Sequence, residues 1–207
     1  MKKNPVSKSA PGAATVKTSA YHHGNLRETL LLAADGVLAE RGAQGLTLRD
    51  VAKAAGVSHA APYHHFASLN DLLAVVAGRA FITLGDAIEH AASAEDPKER
   101  LLQVAEAYVA CARAKPAHFR LMFGPLLAQK NDYPLLKAAA TRAFAALLAV
   151  ACAYDAENGA ELALCGWSLS HGMSNLIIDG ALDELPVPVG DPAVLVRVLV
   201  KRALGLS

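Results

Sequence analysis

The residues of this 207-residue chain whose types suit chemistry are few and scattered: three cysteines, eight histidines, and a serine close to one of those histidines. Nucleophilic catalysis would need Cys165 or Ser168 activated by the His171 imidazole, with Asp179 to orient the ring. Cys165 and His171 lie six apart and face different sides of a helix. Ser168 with His171 comes with no nucleophile elbow and no oxyanion loop. Cys111, Cys152 and Cys165 are odd in number and lack CxxC spacing, which argues against a disulfide framework and a zinc knuckle and fits a reducing cytoplasm. Cys111, Cys165 and His171 would make a metal or redox sensor only if the fold brought them together. The adjacent pairs His22-His23 and His64-His65 are poor chelates, because neighbouring rings on a helix point apart; phosphate contact or solvation suits them better. No catalytic set, metal site or cofactor is expected.

The elements that must position these residues are helices. Hydrophobic residues make up 53% of the chain and aromatics 5%, with alanine and leucine at the apolar positions, so the core is read as helix packed on helix. Residues 1–20 are rich in Lys, Ser, Ala, Pro and Gly and read as a disordered arm. Asn25 and Glu28 open a helix that Gly42 ends, with Leu26, Leu30, Ala34, Val37 and Leu38 at helical spacing. Thr47 with Asp50 opens a short helix through Val51 and Ala52, stopped by Gly56. Ser58 caps a further short helix through Phe66, and Ser68 with Asp71 opens a longer one. Asp96-Pro97, Lys115-Pro116, Tyr133-Pro134, Gly159 and Asp191-Pro192 start five more. The expectation is an all-α fold of about nine helices, with no strand, no internal repeat, no apolar leader and no uninterrupted membrane span.

Net charge hides an asymmetry. Up to Asn70, eight Lys or Arg face four Asp or Glu, giving +4, while the remainder has twelve against fifteen, or −3. Five of the eight histidines also lie in that first part, so the basic end is the candidate for a polyanionic partner.

Two short helices joined by Gly56-Val57-Ser58 have the form of a helix-turn-helix: Ala52 permits close approach, Gly56 a left-handed turn, and Val57 plugs the core. The second helix would present Ser58, His59, Ala60 and Ala61 at its start, small or polar groups that can come within reach of base edges in the major groove. Tyr63 and His64 can then reach phosphates. The run Thr47-Leu48-Arg49-Asp50-Val51-Ala52, Ala55-Gly56-Val57-Ser58, Tyr63-His64-His65-Phe66 and Ser68 with Asp71-Leu72-Leu73 resembles the TetR family of bacterial repressors over about residues 25 to 75.

That resemblance implies that Thr47, Arg49, Ser58, His59, Ala60, Tyr63 and His64 face DNA, with Lys53 beside them. Capping alone would also account for Thr47 and Ser58, and Phe66 reads as core. Two departures stand out. Leu69 occupies a position where many relatives carry a phosphate-contacting lysine. Pro62, fourth after the Ser58 cap, removes a hydrogen bond to the cap carbonyl and shortens or resets the start of the reading helix.

By the same resemblance, residues 21–70 form the DNA-binding domain, and 71–207 form a helical effector-binding and dimerisation domain. Leu162, Gly166, Leu169 and Met173, with Val194, Leu195, Val198, Leu199 and Leu204, supply apolar faces for a homodimer or for burial within one subunit. Trp167-x-x-x-His171-Gly172 resembles the Trp-His-Gly signature of one C-terminal branch. It puts the indole and imidazole in a ligand cavity with Tyr108, Phe119, Met122 and Phe123, or alternatively in plain packing. The function so implied is a cytoplasmic repressor that binds palindromic operator DNA as a homodimer and is released by an unidentified small-molecule effector, with no membrane partner. The rival readings are a metal- or redox-responsive regulator of the same fold and an enzyme using Ser168 or Cys165 with His171.

Overall fold

The chain is described by a computed structural model over residues 26–186 and 188–206. The expected arm with Lys2, Lys3, Lys8 and Lys17, the His22-His23 pair and the Asn25 cap lie outside the described residues. Among the described residues there are eight α-helices, three short 3-10 turns and no strand.

Helix α1 (Leu26–Arg41) turns Leu30, Leu31, Ala34 and Leu38 inward. Helix α2 (Leu48–Ala54) opens on the expected capping box: the Thr47 hydroxyl accepts from the Asp50 amide at 3.2 Å, and the Asp50 carboxylate accepts from the Thr47 amide at 2.9 Å. A cap of this kind contributes about 1 kcal/mol. Its end is set by Gly56 at φ +68, a left-handed conformation in which a Cβ is costly. There the Gly56 amide bonds the Lys53 carbonyl and the Val57 amide reaches back to Ala52 at 3.0 Å. That paired closure aims the chain into the next element and seats Val57 against the core.

The next element differs from expectation. In place of an α-helix through Phe66 there is a 3-10 turn, Ala61–His64, so eight α-helices stand where nine were expected. Pro62 is the physical reason. It has no N–H to give the Ser58 carbonyl, and its ring disfavours the α-helical approach of that carbonyl. The Ala61 amide bonds Ser58 at 3.0 Å and the Tyr63 amide bonds Ala60 at 3.2 Å, each a three-residue step, and no side chain caps the turn. Pro62 and Phe66 are buried and anchor this turn to the three-helix head.

Helix α3 (Leu69–Ala91) starts at the Ser68 cap, whose hydroxyl accepts from the Asp71 amide at 3.1 Å. It runs unbroken out of the head and through the larger body. That body comprises α4 (Pro97–Ala114), α5 (Pro116–Phe123), α6 (Pro134–Tyr154), α7 (Gly159–Ile178) and α8 (Pro192–Ala203). Asp96 and Asp191 cap α4 and α8, each followed by proline at the first helical position. The most extensive packing joins α3 to α6, where a Cβ placed on Gly85 would lie 3.5 Å from the Ala143 Cα. Only α6 among the described helices is long and apolar enough to cross a membrane by length and composition. It carries Lys137 and Arg142, however, and buries Leu136, Ala143, Leu147 and Val150 in the protein core.

Arginine forks tie the layers together. Arg79 of α3 grips Glu28 of α1, with one of its two bonds at 2.8 Å, and this holds the Glu28 carboxyl below its ordinary range. Arg142 of α6 bonds Asp86 and Glu89 of α3, and Arg197 of α8 bonds Glu99 and Glu106 of α4 at 2.6 and 3.1 Å. Val196 and Val200 place the inner face of α8 in the core.

Candidate functional site

The residues singled out for DNA contact all lie on the surface of the small head. Thr47, Arg49, Lys53, Ser58, His59, Ala60, Tyr63 and His64 are all exposed, although they come from the α2 cap, α2 itself and the turn that follows. Tyr63 leaves 59% of its surface open while its neighbour Pro62 is buried, an unusual outlay of aromatic surface for a residue serving only the core. The Thr47 hydroxyl is engaged in the cap, and its bonds pull the Asp50 carboxyl below the usual range. Arg49, Lys53 and the His59 and His64 rings supply donors on this surface. His65 is exposed beside them, and Arg27 of α1 stacks over the Phe66 ring at 5.3 Å. Leu69 packs partly against the core.

In the larger body, a cavity of about 280 Å3 opens between α3, α4, α5, α6 and α7. Tyr108, Phe123 and Trp167, three of the six residues expected to bind a ligand, line it. The other three do not: Phe119 and His171 instead border a wide groove between α1 and α5, and Met122 is buried in the core. Sequence reasoning missed Phe81, Leu84 and Ile88 on α3, and Phe144 and Leu147 on α6, which close the cavity. Apolar residues at helical spacing were the only signal for them, and a solid core gives the same signal.

Trp167 and His171 are joined through Tyr108. The indole N–H donates to the Tyr108 hydroxyl at 3.0 Å, and that hydroxyl has its own proton to give to His171 Nδ1, also at 3.0 Å. Burial pushes the Tyr108 phenol up and the His171 imidazole down, so both groups are neutral near pH 7 and the relay needs no charge. Around it the rings pack edge to face: Phe119 on Tyr108 at 5.9 Å, Phe123 on His171 at 4.6 Å, and Phe144 on Trp167 at 5.6 Å.

Helix α5 links the two regions. Its Phe119 and Phe123 belong to the ring cluster, while between them in sequence Arg120 reaches back to Asp179 at the end of α7. On its other side the buried His118 meets Asp35 of α1, Nε2 to Oδ1, at 3.1 Å. Helix α5 therefore touches both the cavity, through Phe123, and the first helix of the head, through His118.

Among the described residues, neither the rival catalytic set nor the rival metal set comes together. His171 Nδ1 is taken by Tyr108, Ser168 is exposed, and Asp179 is paired with Arg120. Among the described residues no group of three His, Cys, Asp or Glu side chains could hold a metal ion, so Cys111, Cys165 and His171 do not converge as one. Burial also raises the Cys111 thiol, the reverse of what a reactive thiolate requires.

Comparison with known proteins agrees with this layout. Residues 30–76 match the family described as bacterial regulatory proteins, tetR family, and residues 101–203 match the tetracyclin repressor-like C-terminal domain. No curated protein matches the chain. Among solved structures, a protein of unknown function from Rhodococcus sp. RHA1 is 29% identical, with 89% of this chain and 96% of that one aligned at a TM-score of 0.75. The TetR family transcriptional regulator PfmR from Thermus thermophilus is 25% identical over 86% of this chain and 98% of its own, at a TM-score of 0.61. LfrR from Mycobacterium smegmatis, solved in complex with proflavine, shares the fold at 20% identity and a TM-score of 0.58, over 87% of this chain and 94% of its own.

Proposed function

This chain belongs to the TetR family of bacterial regulatory proteins and is a helix-turn-helix transcription regulator, not an enzyme, and from that premise we propose that it is a homodimeric, effector-released repressor of a palindromic operator. The observation that carries the reading is that all eight residues expected to meet DNA are exposed, and all lie inside the segment that matches the bacterial regulatory proteins, tetR family. In this account residues 21–70 read and residues 71–207 sense and dimerise, with α3 common to both. Tyr63 and His64 reach phosphates, and Thr47 stands beside the duplex as the α2 cap. Ser58, His59 and Ala60 approach base edges, and Arg49 and Lys53 add sequence-independent attraction. The cytoplasm is the place for such a protein.

An uncovered apolar face supports the homodimer. Leu164 and Leu176 of α7 are exposed, with the small Ser168 and Gly172 between them at four-residue spacing, and Val194 and Val198 of α8 are exposed as well. The face is turned slightly from the one expected, since Met173 packs inward while Leu162 and Leu169 are half-buried. Two such faces make a self-complementary interface, in which small residues permit close helix approach. Repression ends when a ligand in the cavity moves α5 and, through His118 and Asp35, changes the spacing of the two heads.

The test is selection of double-stranded fragments from a random pool by the purified protein, with the mass of the resulting complex measured in solution. The reading expects an inverted repeat with half-sites about one helical turn or a multiple apart, occupied by an even number of protomers. Fragments without any shared sequence, or a complex with one protomer, would contradict it.

A further inference from the structure

We infer that the cavity between α3, α4, α5, α6 and α7 takes a small ring-bearing or branched carboxylate, its apolar body among the aromatic rings and its carboxylate on the Lys130 ammonium. This rests on the reading of that cavity as the effector site, and it adds the class of effector. Size comes first. At about 280 Å3 the space lies at the lower end of ordinary ligand pockets, roughly 300–1,000 Å3, so nucleotides, coenzyme thioesters and large fused polycycles are too big.

Polarity comes second. The wall is almost entirely carbon, from Phe81, Phe123, Phe144, Leu84, Ile88 and Leu147 among others. Its two polar side chains besides Lys130 are already satisfied, because the Trp167 N–H is spent on Tyr108 and the Tyr108 O–H on His171. A sugar or polyol would bring hydroxyl groups that find no partner here, and each unpaired buried polar group carries a desolvation penalty.

Charge comes third. Among the described residues no acidic side chain lines the cavity, which leaves none of them to receive a cationic ligand. Lys130, in the 3-10 turn Lys130–Asp132 that precedes α6, is the one ionic residue of the wall among the described residues. Its Nζ lies over the Phe81 ring, 5.9 Å from the centroid, and forms no ion pair with any described carboxylate. The ammonium of a partly buried lysine, resting on an aromatic face at a cavity wall with donors to spare, is a seat for an anion. A carboxylate there would make charge-assisted hydrogen bonds that an isosteric alcohol makes only weakly and an amine not at all.

Trp167 is the only tryptophan in the chain and lines the cavity, so its fluorescence reports occupancy directly. The full-length protein is titrated with three probes of one skeleton: 4-phenylbutyrate, 4-phenylbutanol and 4-phenylbutylamine. The expected result is binding of the carboxylate at least about tenfold tighter than the alcohol, with the amine weakest. Lys130→Met should bring carboxylate and alcohol to the same affinity without weakening the alcohol, and Lys130 is partly exposed, so the fold tolerates the change. Equal binding of carboxylate and alcohol, tighter binding of the amine, no binding of any probe, or a preference that survives Lys130→Met would each overturn the inference.

Ala140→Phe separates this failure from failure of the underlying reading, because Ala140 lines the cavity from a half-buried position. Probes that bind without charge preference and are blocked by Ala140→Phe leave the cavity as the effector site and remove only the class. Probes that bind Ala140→Phe as well as the natural chain remove the cavity reading as well.

Discussion

The head and the body solve opposite problems with the same kind of helix. In the head, every residue assigned to DNA is exposed, and the buried residues Leu31, Leu38, Val51 and Phe66 form the core beneath them. In the body, the residues of interest point inward, and the site is a space left unfilled between five helices that otherwise pack closely, down to the Gly85 and Ala143 approach. A surface site can be spelled in a few consecutive turns, because each residue needs only a local backbone to aim it. A cavity needs residues far apart in the chain, such as Phe81 and Trp167, and exists only after tertiary packing. The two are joined by α3, which runs through both and holds α1 through Arg79 and Glu28, and by α5 through its His118–Asp35 bond.

The comparison breaks most severely at the dimer face. Leu164→Glu with Val198→Glu would place charges on the uncovered apolar surface of both α7 and α8. Monomers should result, with operator affinity reduced at least about a hundredfold, since a second half-site adds roughly 10²–10⁴ through effective concentration alone. Sedimentation and operator titration together check it, and an unchanged dimer would move the interface elsewhere.

A smaller pair of changes sharpens the contrast. Arg49→Ala should weaken operator binding about tenfold, lower the slope of log affinity against log salt by about one, and leave probe quenching of Trp167 untouched. Ala140→Phe should do the reverse, abolishing quenching while leaving operator binding in the absence of effector within about twofold. Either variant affecting both readouts strongly would mean that head and body are not separable.

The link itself should show a modest effect. His118→Ala and Asp35→Ala each cut the difference in operator affinity between free and effector-bound protein, and the double variant should be no worse than either single. A double-mutant cycle on that difference should return a coupling of about 1 kcal/mol. Strict additivity would mean that the signal travels by another route.

Acid should give the smallest effect. Burial lowers the His171 pKa in the folded protein, so the ring resists protonation there more than in the unfolded chain. The unfolded state therefore binds the proton first as pH falls through the ordinary histidine range. The stability held above that range is lost progressively toward the lowered value. His171→Gln should flatten this part of the melting temperature profile, and an unchanged profile would show that His171 does not set it.

How much was legible in the sequence follows the same division. Helix starts written as local signals are present as read: Thr47 with Asp50, Ser68 with Asp71, Asp96-Pro97 and Asp191-Pro192. Gly56 takes the left-handed turn assigned to it. The ninth helix was lost to one residue, Pro62, whose missing N–H turns an expected α-helix into a 3-10 turn; the mechanism was readable, its extent was not. In the body, Trp167 and Tyr108 were legible as aromatic residues with a polar end, but the hydrogen bonds through Tyr108 that join Trp167 to His171 span 59 and 63 residues, beyond any local pattern. Phe144 and Leu147 could not be told from the buried Val150 and Ala151 by period, because wall and core share one helical stripe.

The most direct measurement is the affinity of the purified protein for one selected inverted repeat and for a scrambled duplex of the same composition, each titrated across a range of salt. A sequence-reading dimer predicts at least about a thousandfold preference for the repeat at moderate salt and a steep fall of both affinities as salt rises. Equal affinity for the two duplexes at every salt concentration would contradict the account at its centre, since it would leave the exposed residues of the head as a phosphate-binding surface that reads nothing.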